Sequence, residues 1–490
     1  MFERKRLVLS SLFKTHESFI NKCVNVYGWI ETMRVQQKNG LAFISLNDGS
    51  CLKSLQIILN PQSPEELEKL DTIYSDGTKG VSLHVFGIIV ESQAKGQEIE
   101  MKCVSLKILG KVDANDYPIS KNKLSLEYIR QYPHLRIRTK TISAISRIRH
   151  TISIATHTFF NSHGIKYVHT PILTGNDCEG AGETFNISNT IGSENSLFFG
   201  QPTSLTVSGQ LHGETYASGL GDIYTFGPTF RAEDSHTTRH LSEFWMIEPE
   251  LCFINFKDLI DLAEDYIRFC IKTALEQCNE EIEFFTKHYQ SNLKEELEKM
   301  VSTDFVRMSY KEVIEIINKD IENGLAIIRD PTLEHKKFKK IARGKHIFEG
   351  PTGTLNKLLP LEYDLDSEHE KYMTFKVGGP LVVTDFPEKI KSFYMKPNND
   401  GKTVQAMDIL VPNIGELIGG SMREDNYAVL KDKMDKNGIS IPWYLDLRKY
   451  GSVPHGGFGL GFERLIMLVT GIYNIKDIIP YPRYSGHCDM

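Results

Sequence analysis

Residues 230–250 read FRAEDSHTTRHLSEFWMIEPE. Ionisable side chains at Arg231, Glu233, Asp234, His236, Arg239, His240, Glu243, Glu248 and Glu250 surround the apolar pair Phe244 and Trp245. Fixed charges of both signs beside two aromatics ask for a charged partner. A guanidinium fork matches phosphate oxygens bidentately and keeps its charge at physiological pH. Working outward, two familiar phosphate cradles fail. GKT at 401–403 resembles the end of a P-loop, but the required first glycine falls at Lys396. GFGLGF at 457–462 has GxGxG spacing, lacks the third glycine position and lies in no βαβ unit. Arginines are left to hold any phosphate.

The chain of 490 residues is 40% hydrophobic and 24% charged, which suffices for a sizeable core in two or three domains. No apolar run reaches the roughly 18 residues of a membrane span, and the start MFERKRLVLSSLFK has no signal-peptide apolar region, so the expected location is cytoplasmic, away from membranes. The eight cysteines include no CxxC pair and signal neither zinc nor disulfides. A net charge of −6 argues against a general nucleic-acid coat, yet residues 1–60 carry eight Lys or Arg against four Asp or Glu, together with Tyr27, Trp29 and Phe43.

From Cys23 to Gly110 the β-rich runs CVNVYGWI, LAFISLND, SLQIILN, SLHVFGIIV and EIEMKCVSLKILG are divided by the turn signals KNG, NDGS and AKG. Five strands in so short a span predict a small β-barrel domain over 1–111, of the OB-fold type that often binds oligonucleotides. The polar, proline-containing residues 112–140 read as a hinge. SAISRIRHTISIATHTFFNSHG predicts a long amphipathic helix with a glycine stop, and KYVHTPILT predicts a strand. Residues 141–490 mix helical and β-rich segments without regular βαβ alternation, which predicts an α+β domain with helices over 256–300 and a surface insertion near 320–360.

Three strings decide the family: TFGPTFRAE at 225–233, MDILVPNIGELIGGSMRE at 407–424 and VPHGGFGLGFERLIMLVTG at 453–471. The first resembles motif 2 of the class II aminoacyl-tRNA synthetases through Arg231 and Glu233. The last resembles motif 3 through GFER at 461–464, and the helix ending at Thr170-Pro171 resembles motif 1. HLRIRT, CEGAGETF, LTVSGQLHGE, RHLSEFWMIEPE, SEHEKYM, FYMKPNNDGKTVQAMDILVPNIGELIGGSMRE, YGSVPHGGFGLGFERL and DIIPYPR extend the likeness over nearly the whole chain. They point to the bacterial-type asparaginyl-tRNA synthetase family of subclass IIb. The 320–360 segment and the final YSGHCDM do not share the pattern.

That resemblance implies an OB-fold anticodon domain followed by a class II catalytic domain built on an antiparallel sheet flanked by helices. It also implies a two-step reaction. Asparagine attacks the α-phosphorus of ATP to give asparaginyl-adenylate and pyrophosphate, and the terminal ribose of tRNA(Asn) then takes the acyl group. Arg231 is implied to hold the α-phosphate and the amino-acid carboxylate, and Arg464, close to Gly461, the γ-phosphate. Phe244 is implied to stack on adenine, with Glu233, Arg239, His240 and Leu241 completing the ATP site. Asp408 and Glu416 are hard oxygen donors suited to Mg²⁺, and Glu416 counts with Arg231 and Arg464 among the catalytic residues.

For the amino acid, Arg423 is implied to donate to the side-chain amide oxygen and Glu248 to accept from its NH₂, with Glu179 and Ser204 at the α-ammonium. An aspartate would set its carboxylate against Glu248, and the lysine that aspartyl enzymes use is replaced by Val207. Phe43 and Gln56 are implied to read the middle anticodon base by stacking and hydrogen bonding. The resemblance further implies a homodimer through the motif 1 helix and Pro171. Two alternatives stay open: a non-discriminating aspartyl-tRNA synthetase, against which Val207 and Glu248 speak, and an inactive tRNA-binding paralogue. The presence of Arg231, Glu416 and Arg464 together speaks against the second.

Overall fold

The computed structural model describes residues 6–36, 40–94, 96–121, 124–176, 184–187, 190–191, 196–235, 237–323 and 358–490. The insertion expected at 320–360 therefore lies almost wholly outside the described residues. The chain forms two compact units, Met1–Ser146 and Arg147–Met490.

In the first unit, β1 (Cys23–Gln36), β2 (Leu41–Asn47), β3 (Leu55–Leu59), β4 (Ser82–Glu91) and β5 (Ile99–Gly110) close a barrel in the order β1-β2-β3-β5-β4. Period-two alternation sends Ala42, Ile44 and Leu46, Leu55, Ile57 and Leu59, and Leu83, Val85 and Ile89 inward, where they are buried. The residues between them face out. Phe43 pairs across the strands with Arg34 on one side and Ile58 on the other, and Gln56 pairs with Ser45. Gln56 Nε2 donates to Glu100 Oε2 at 3.2 Å. The outer face thus sets an aromatic and an amide as diagonal neighbours. The stretch 112–140 holds more structure than its polar composition implies. It contains the helix Leu126–Arg130 and the turn Arg136–Arg138, and Ile119, Ile129 and Arg136 are buried.

The second unit is organised on an eight-stranded sheet. Its members are β6 (Lys166–Tyr167), β11 (Ile223–Phe230), β12 (Glu243–Cys252), β13 (Val306–Ser309), β14 (Leu381–Pro387), β15 (Thr403–Val411), β16 (Gly415–Met422) and β17 (His455–Gly461). Their order is β13-β14-β15-β16-β17-β12-β11-β6. Small pairs are formed by β7 (Leu173–Thr174) with β10 (Ser204–Leu205) and by β8 (Thr190–Ile191) with β9 (Ser196–Leu197). The sheet corrects two expectations. Its six central strands are antiparallel, but β13 joins β14 and β6 joins β11 in parallel, so the sheet is mixed rather than antiparallel. KYVHTPILT is not one strand but β6 and β7, because Pro171 has no N–H to donate and restrains Thr170 before it.

The long helix spans Lys140–Ser162, with Ile145, Ile148, Ile152, Ala155 and Phe159 buried along one stripe. Gly164 follows at φ +75°, the left-handed turn a helix end favours. Phe159 and Phe160 pack on Tyr266 of the helix Phe256–Gln277, whose hydroxyl meets Thr156 Oγ1 at 2.7 Å. That second helix begins with a capping box between Asn255 and Asp258.

Candidate active site

Because strand side chains alternate between faces, register decides which residues share a floor. One transverse row runs from Asp408 on β15 through Gly419 on β16 and Gly459 on β17 to Glu248 on β12 and Thr225 on β11. The next row on the same face carries Ala406, Ser421, Gly457, Glu250 and Ile223. The glycines keep this floor low. A Cβ on Gly457 would lie 2.3 Å from Glu250 Oε1, and one on Gly459 2.5 Å from Met246 Cε. GFGLG at 457–461 is therefore strand, its glycines facing the site while Phe458 and Leu460 are buried on the other side.

At one end of the first row lies a cluster of acids and cations. A Cβ on Gly419 would sit 3.0 Å from Glu416 Oε1 and 3.5 Å from Asp408 Oδ1, so the two carboxylates flank that glycine. Lys391 Nζ donates to both Asp408 oxygens at 3.0 and 2.8 Å. Arg464 Nη1 donates to the Glu416 carbonyl at 2.8 Å and to Oε2 at 3.1 Å. Glu370 accepts from the Glu416 backbone N–H at 3.0 Å and faces Arg239 Nη2 at 3.6 Å. Burial pushes Asp408 up to about 6, with Glu416 adding to the rise and Lys391 opposing it. Burial, then the Glu416 charge, pushes Glu370 up to about 7. Burial would also raise Glu416, but Arg464 and then Lys391 outweigh it and hold that carboxyl below its ordinary value. Asp408 and Glu416 supply two hard oxygens on adjacent strands. This donor set fits a divalent cation. Among the described residues no group of three or more protein ligands is gathered, so such a cation would complete its shell with phosphate oxygens and water.

The stretch 230–250 forms a hairpin of β11 and β12 joined by the loop 231–242, closed where Arg231 N–H donates to the Ser242 carbonyl at 3.0 Å. The Arg231 guanidinium lies 5.4 Å from the Phe244 ring centroid, so a fixed cation and an aromatic face sit side by side. Glu233 is 3.9 Å from His240, and Leu241 is buried. Burial pushes the His240 imidazole down, against the Glu233 charge. Gly461 ends β17, and Arg464 follows in the first turn of the helix Phe462–Thr470. The buried Glu463 accepts from Trp245 N–H at 2.9 Å and pairs with Arg149 at 2.6 Å, fixing that turn to β12 and to the long helix.

At the other end of the row Glu248 is buried, and every group bonded to it is a donor. Oε1 accepts from the Ser208 hydroxyl, and Oε2 accepts from Gly209 N–H at 2.9 Å and from the Thr225 hydroxyl at 3.2 Å. Three donors fix an ionised carboxylate and leave Oε1 one lone pair to offer. Arg423, just past β16, is buried on Glu250, to which Nε donates at 3.1 Å and Nη2 also donates, while Nη1 donates to Ser421 Oγ at 2.8 Å. A fixed acceptor thus rises from the first row, and a fixed donor rests on Glu250 and Ser421 of the second.

The order of the motifs and this floor can be set beside known proteins. A family model described as tRNA synthetases class II (D, K and N) matches residues 125–485, and one described as OB-fold nucleic acid binding domain matches residues 24–109. The asparagine–tRNA ligase of Protochlamydia amoebophila is 43% identical over 96% of this chain and 97% of its own. That of Treponema denticola is 44% identical over 94% of this chain and 95% of its own. The chain belongs to the asparagine–tRNA ligase family.

Among solved structures, the asparaginyl-tRNA synthetase of Pyrococcus horikoshii complexed with asparaginyl-adenylate is 28% identical and superposes with a TM-score of 0.80, each chain covered in full. A putative aspartyl-tRNA synthetase of Leishmania major shares the fold at 19% identity and a TM-score of 0.77, covering 100% of this chain and 95% of its own. Family membership therefore rests on sequence, since the fold serves both amino acids.

Of the residues singled out in the sequence, Arg231, Glu233, Arg239, His240, Leu241, Phe244, Asp408, Glu416, Gly461 and Arg464 lie on the hairpin, the acid cluster and the turn above. Val207 and Ser204 are buried, and the Ser204 hydroxyl reaches the Thr174 carbonyl at 3.5 Å. Glu179 lies outside the described residues. Phe43 and Gln56 lie on the barrel, in the other compact unit. The carboxylate bonded to Arg423 is that of Glu250. Sequence reading left Glu250, Glu214, Glu370, Lys391, Arg448 and His455 without roles. A charge set among glycines and apolar residues was the available signal, as in LTVSGQLHGE and SVPHGGFG.

Proposed function

We propose that this chain activates L-asparagine with ATP to asparaginyl-adenylate and transfers the asparaginyl group to the 3′ end of tRNA(Asn). The observation that carries this reading is the pairing of Glu248, an ionised acceptor held by three donors, with Arg423, a cation held by Glu250, on one face of the sheet. An amide presents an acceptor and a donor and satisfies both. An aspartate carboxylate leaves an unpaired like-charge contact at Glu248.

The first step is an in-line displacement in which the protein positions and neutralises rather than attacks. Arg231 holds the α-phosphate and the asparagine carboxylate together, and Phe244 stacks on adenine. Arg464 receives the γ-phosphate, exchanging its bond to Glu416 for a phosphate oxygen. Glu233, Arg239, His240 and Leu241 shape the loop over the nucleotide, and Gly461 leaves room beside Arg464. Asp408 and Glu416 would hold Mg²⁺, which when bound neutralises phosphate charge. Ser204 and Glu179 take the α-ammonium group. On the barrel, Phe43 stacks on the middle anticodon base and Gln56 hydrogen-bonds its edge.

A homodimer through the helix Lys140–Ser162 and the segment around Pro171 is part of the same reading, supported by exposed Ile154, Tyr167, Ile172 and Leu173. Among the described residues no helix is long and apolar enough to cross a membrane.

ATP–pyrophosphate exchange, measured with asparagine and with aspartate side by side, tests the proposal. Exchange with asparagine far above aspartate is expected. Exchange with aspartate alone would overturn it, and exchange with neither would favour the inactive tRNA-binding alternative.

A further inference from the structure

The mechanism above leaves a buried charge cluster unused. Glu214, in the helix Gln210–Leu220, has a fully enclosed side chain that nonetheless gathers four donors. Oε1 accepts from Tyr444 Oη at 2.8 Å and Gln210 Nε2 at 3.2 Å, and it lies 3.9 Å from Arg423 Nε. Oε2 accepts from Arg448 Nη2 at 2.7 Å and His455 Nε2 at 3.1 Å. Burial would raise this carboxyl, but Arg448, His455 and Arg423 outweigh it and hold Glu214 well below the usual carboxylate range. His455 Nδ1 lies 2.8 Å from the Val453 carbonyl. A carboxylate cannot donate, so Nε2 donates to Glu214.

The two strongest partners of Glu214 continue to the backbone of Arg423. Arg448 Nε donates to the Glu424 carbonyl at 2.8 Å, one residue beyond Arg423. The His455 carbonyl accepts from Arg423 N–H at 2.9 Å. Glu214 thus ties down the peptide on either side of Arg423, while Glu250 orients its guanidinium. Of the five N–H donors of Arg423, three are taken by Glu250 and Ser421, and two have no partner among the described residues.

We propose that Glu214 is a positioning residue for amino-acid selection, holding Arg423, through Arg448 and His455, where its two remaining N–H donors meet the side-chain oxygen of the substrate. The proposal rests on the reading of Arg423 as the donor to that oxygen. It also accounts for charge. The Glu214 carboxylate offsets the buried Arg448 and Arg423 cations, and a neutral amide adds no charge to that set. Removing the Glu214 charge leaves an excess cation and shifts preference toward aspartate.

Glu214→Gln tests this with two non-hydrolysable aminoacyl-adenylate analogues, one carrying the asparagine side chain and one the alanine side chain, which has no oxygen for Arg423. Wild-type protein should bind the asparaginyl analogue more tightly than the alanyl one. If it does not, the underlying reading of the pocket fails, whatever the variant does. In the variant, affinity for the asparaginyl analogue should fall at least tenfold and the alanyl analogue should stay within threefold. In exchange assays the KM for asparagine should rise while the KM for ATP holds. Equal loss of both analogues would mark Glu214 as merely structural and overturn the proposal, as would no loss of either. His455→Gln leaves Glu214 its other donors and is the milder variant. The same selective loss, smaller in size, is expected, and a uniform loss would again refute the proposal. Glu214→Asp, which keeps the charge, should fall between wild type and Glu214→Gln.

Discussion

Replacing Glu248 by glutamine probes amino-acid selection with one atom exchanged. In the wild type Oε2 is saturated by Gly209 N–H and Thr225, so the variant must place its amide oxygen there and its NH₂ where Oε1 stood. The opposite placement would set NH₂ against the Gly209 N–H, donor against donor. Ser208 can turn its hydroxyl to accept, so the local network survives while the lone pair offered to substrate becomes an N–H. Asparagine loses a hydrogen bond to a charged acceptor, about 1.5–3 kcal/mol or roughly 10- to 150-fold in kcat/KM. Aspartate is relieved of a buried like-charge contact and gains a donor, so its kcat/KM should rise by at least a similar factor. The asparagine-to-aspartate ratio should therefore fall by about 10²–10⁴-fold, read by ATP–pyrophosphate exchange with both amino acids and an unchanged KM for ATP. A ratio within threefold of wild type would show that Glu248 does not face the amide.

Arg464→Ala should abolish exchange, by about 10³-fold or more for an arginine that neutralises transferring phosphate, without moving the thermal midpoint by more than a few degrees. An active variant would place the γ-phosphate elsewhere. Phe43→Ala should weaken tRNA(Asn) binding by about 1–3 kcal/mol while leaving exchange untouched, and equal tRNA affinity would remove the stacking role. The depressed Glu214 carboxyl contributes stability that is present above the unfolded-state value of about 4.3 and is lost as pH falls through the folded-state value. The gap in thermal midpoint between wild type and Glu214→Gln should accordingly hold nearly level from pH 7 to about 5 and narrow as pH falls below about 4. A gap that widens on acidification would contradict the assignment.

The barrel was legible because its strands alternate cleanly, one face per residue, as in LAFISLN. The long helix was legible for the same kind of reason, an apolar stripe at helical spacing before a glycine. The parallel edge strands were not, since pairing direction depends on where distant segments return and leaves no local pattern. KYVHTPILT misled because β-branched residues suggested one strand where Pro171 breaks the ladder. At the site, motif strings singled out Arg231, Glu416 and Arg464, and folding sets Arg464 on Glu416 and Arg231 beside Phe244. Glu214 and Glu250 escaped notice because their partners, Arg448, His455 and Arg423, come from segments roughly two hundred residues away, and only folding sets those charges together.

The central claim is that this chain charges tRNA(Asn) with asparagine, and a direct measurement is aminoacylation of a tRNA(Asn) transcript with labelled amino acid in the presence of ATP and Mg²⁺. Asparagine should be attached to the 3′ end at a rate at least about 10²-fold above aspartate at equal concentration, the discrimination expected of a site built to pair an amide. Attachment of aspartate at a comparable rate, or of neither amino acid, would contradict the account.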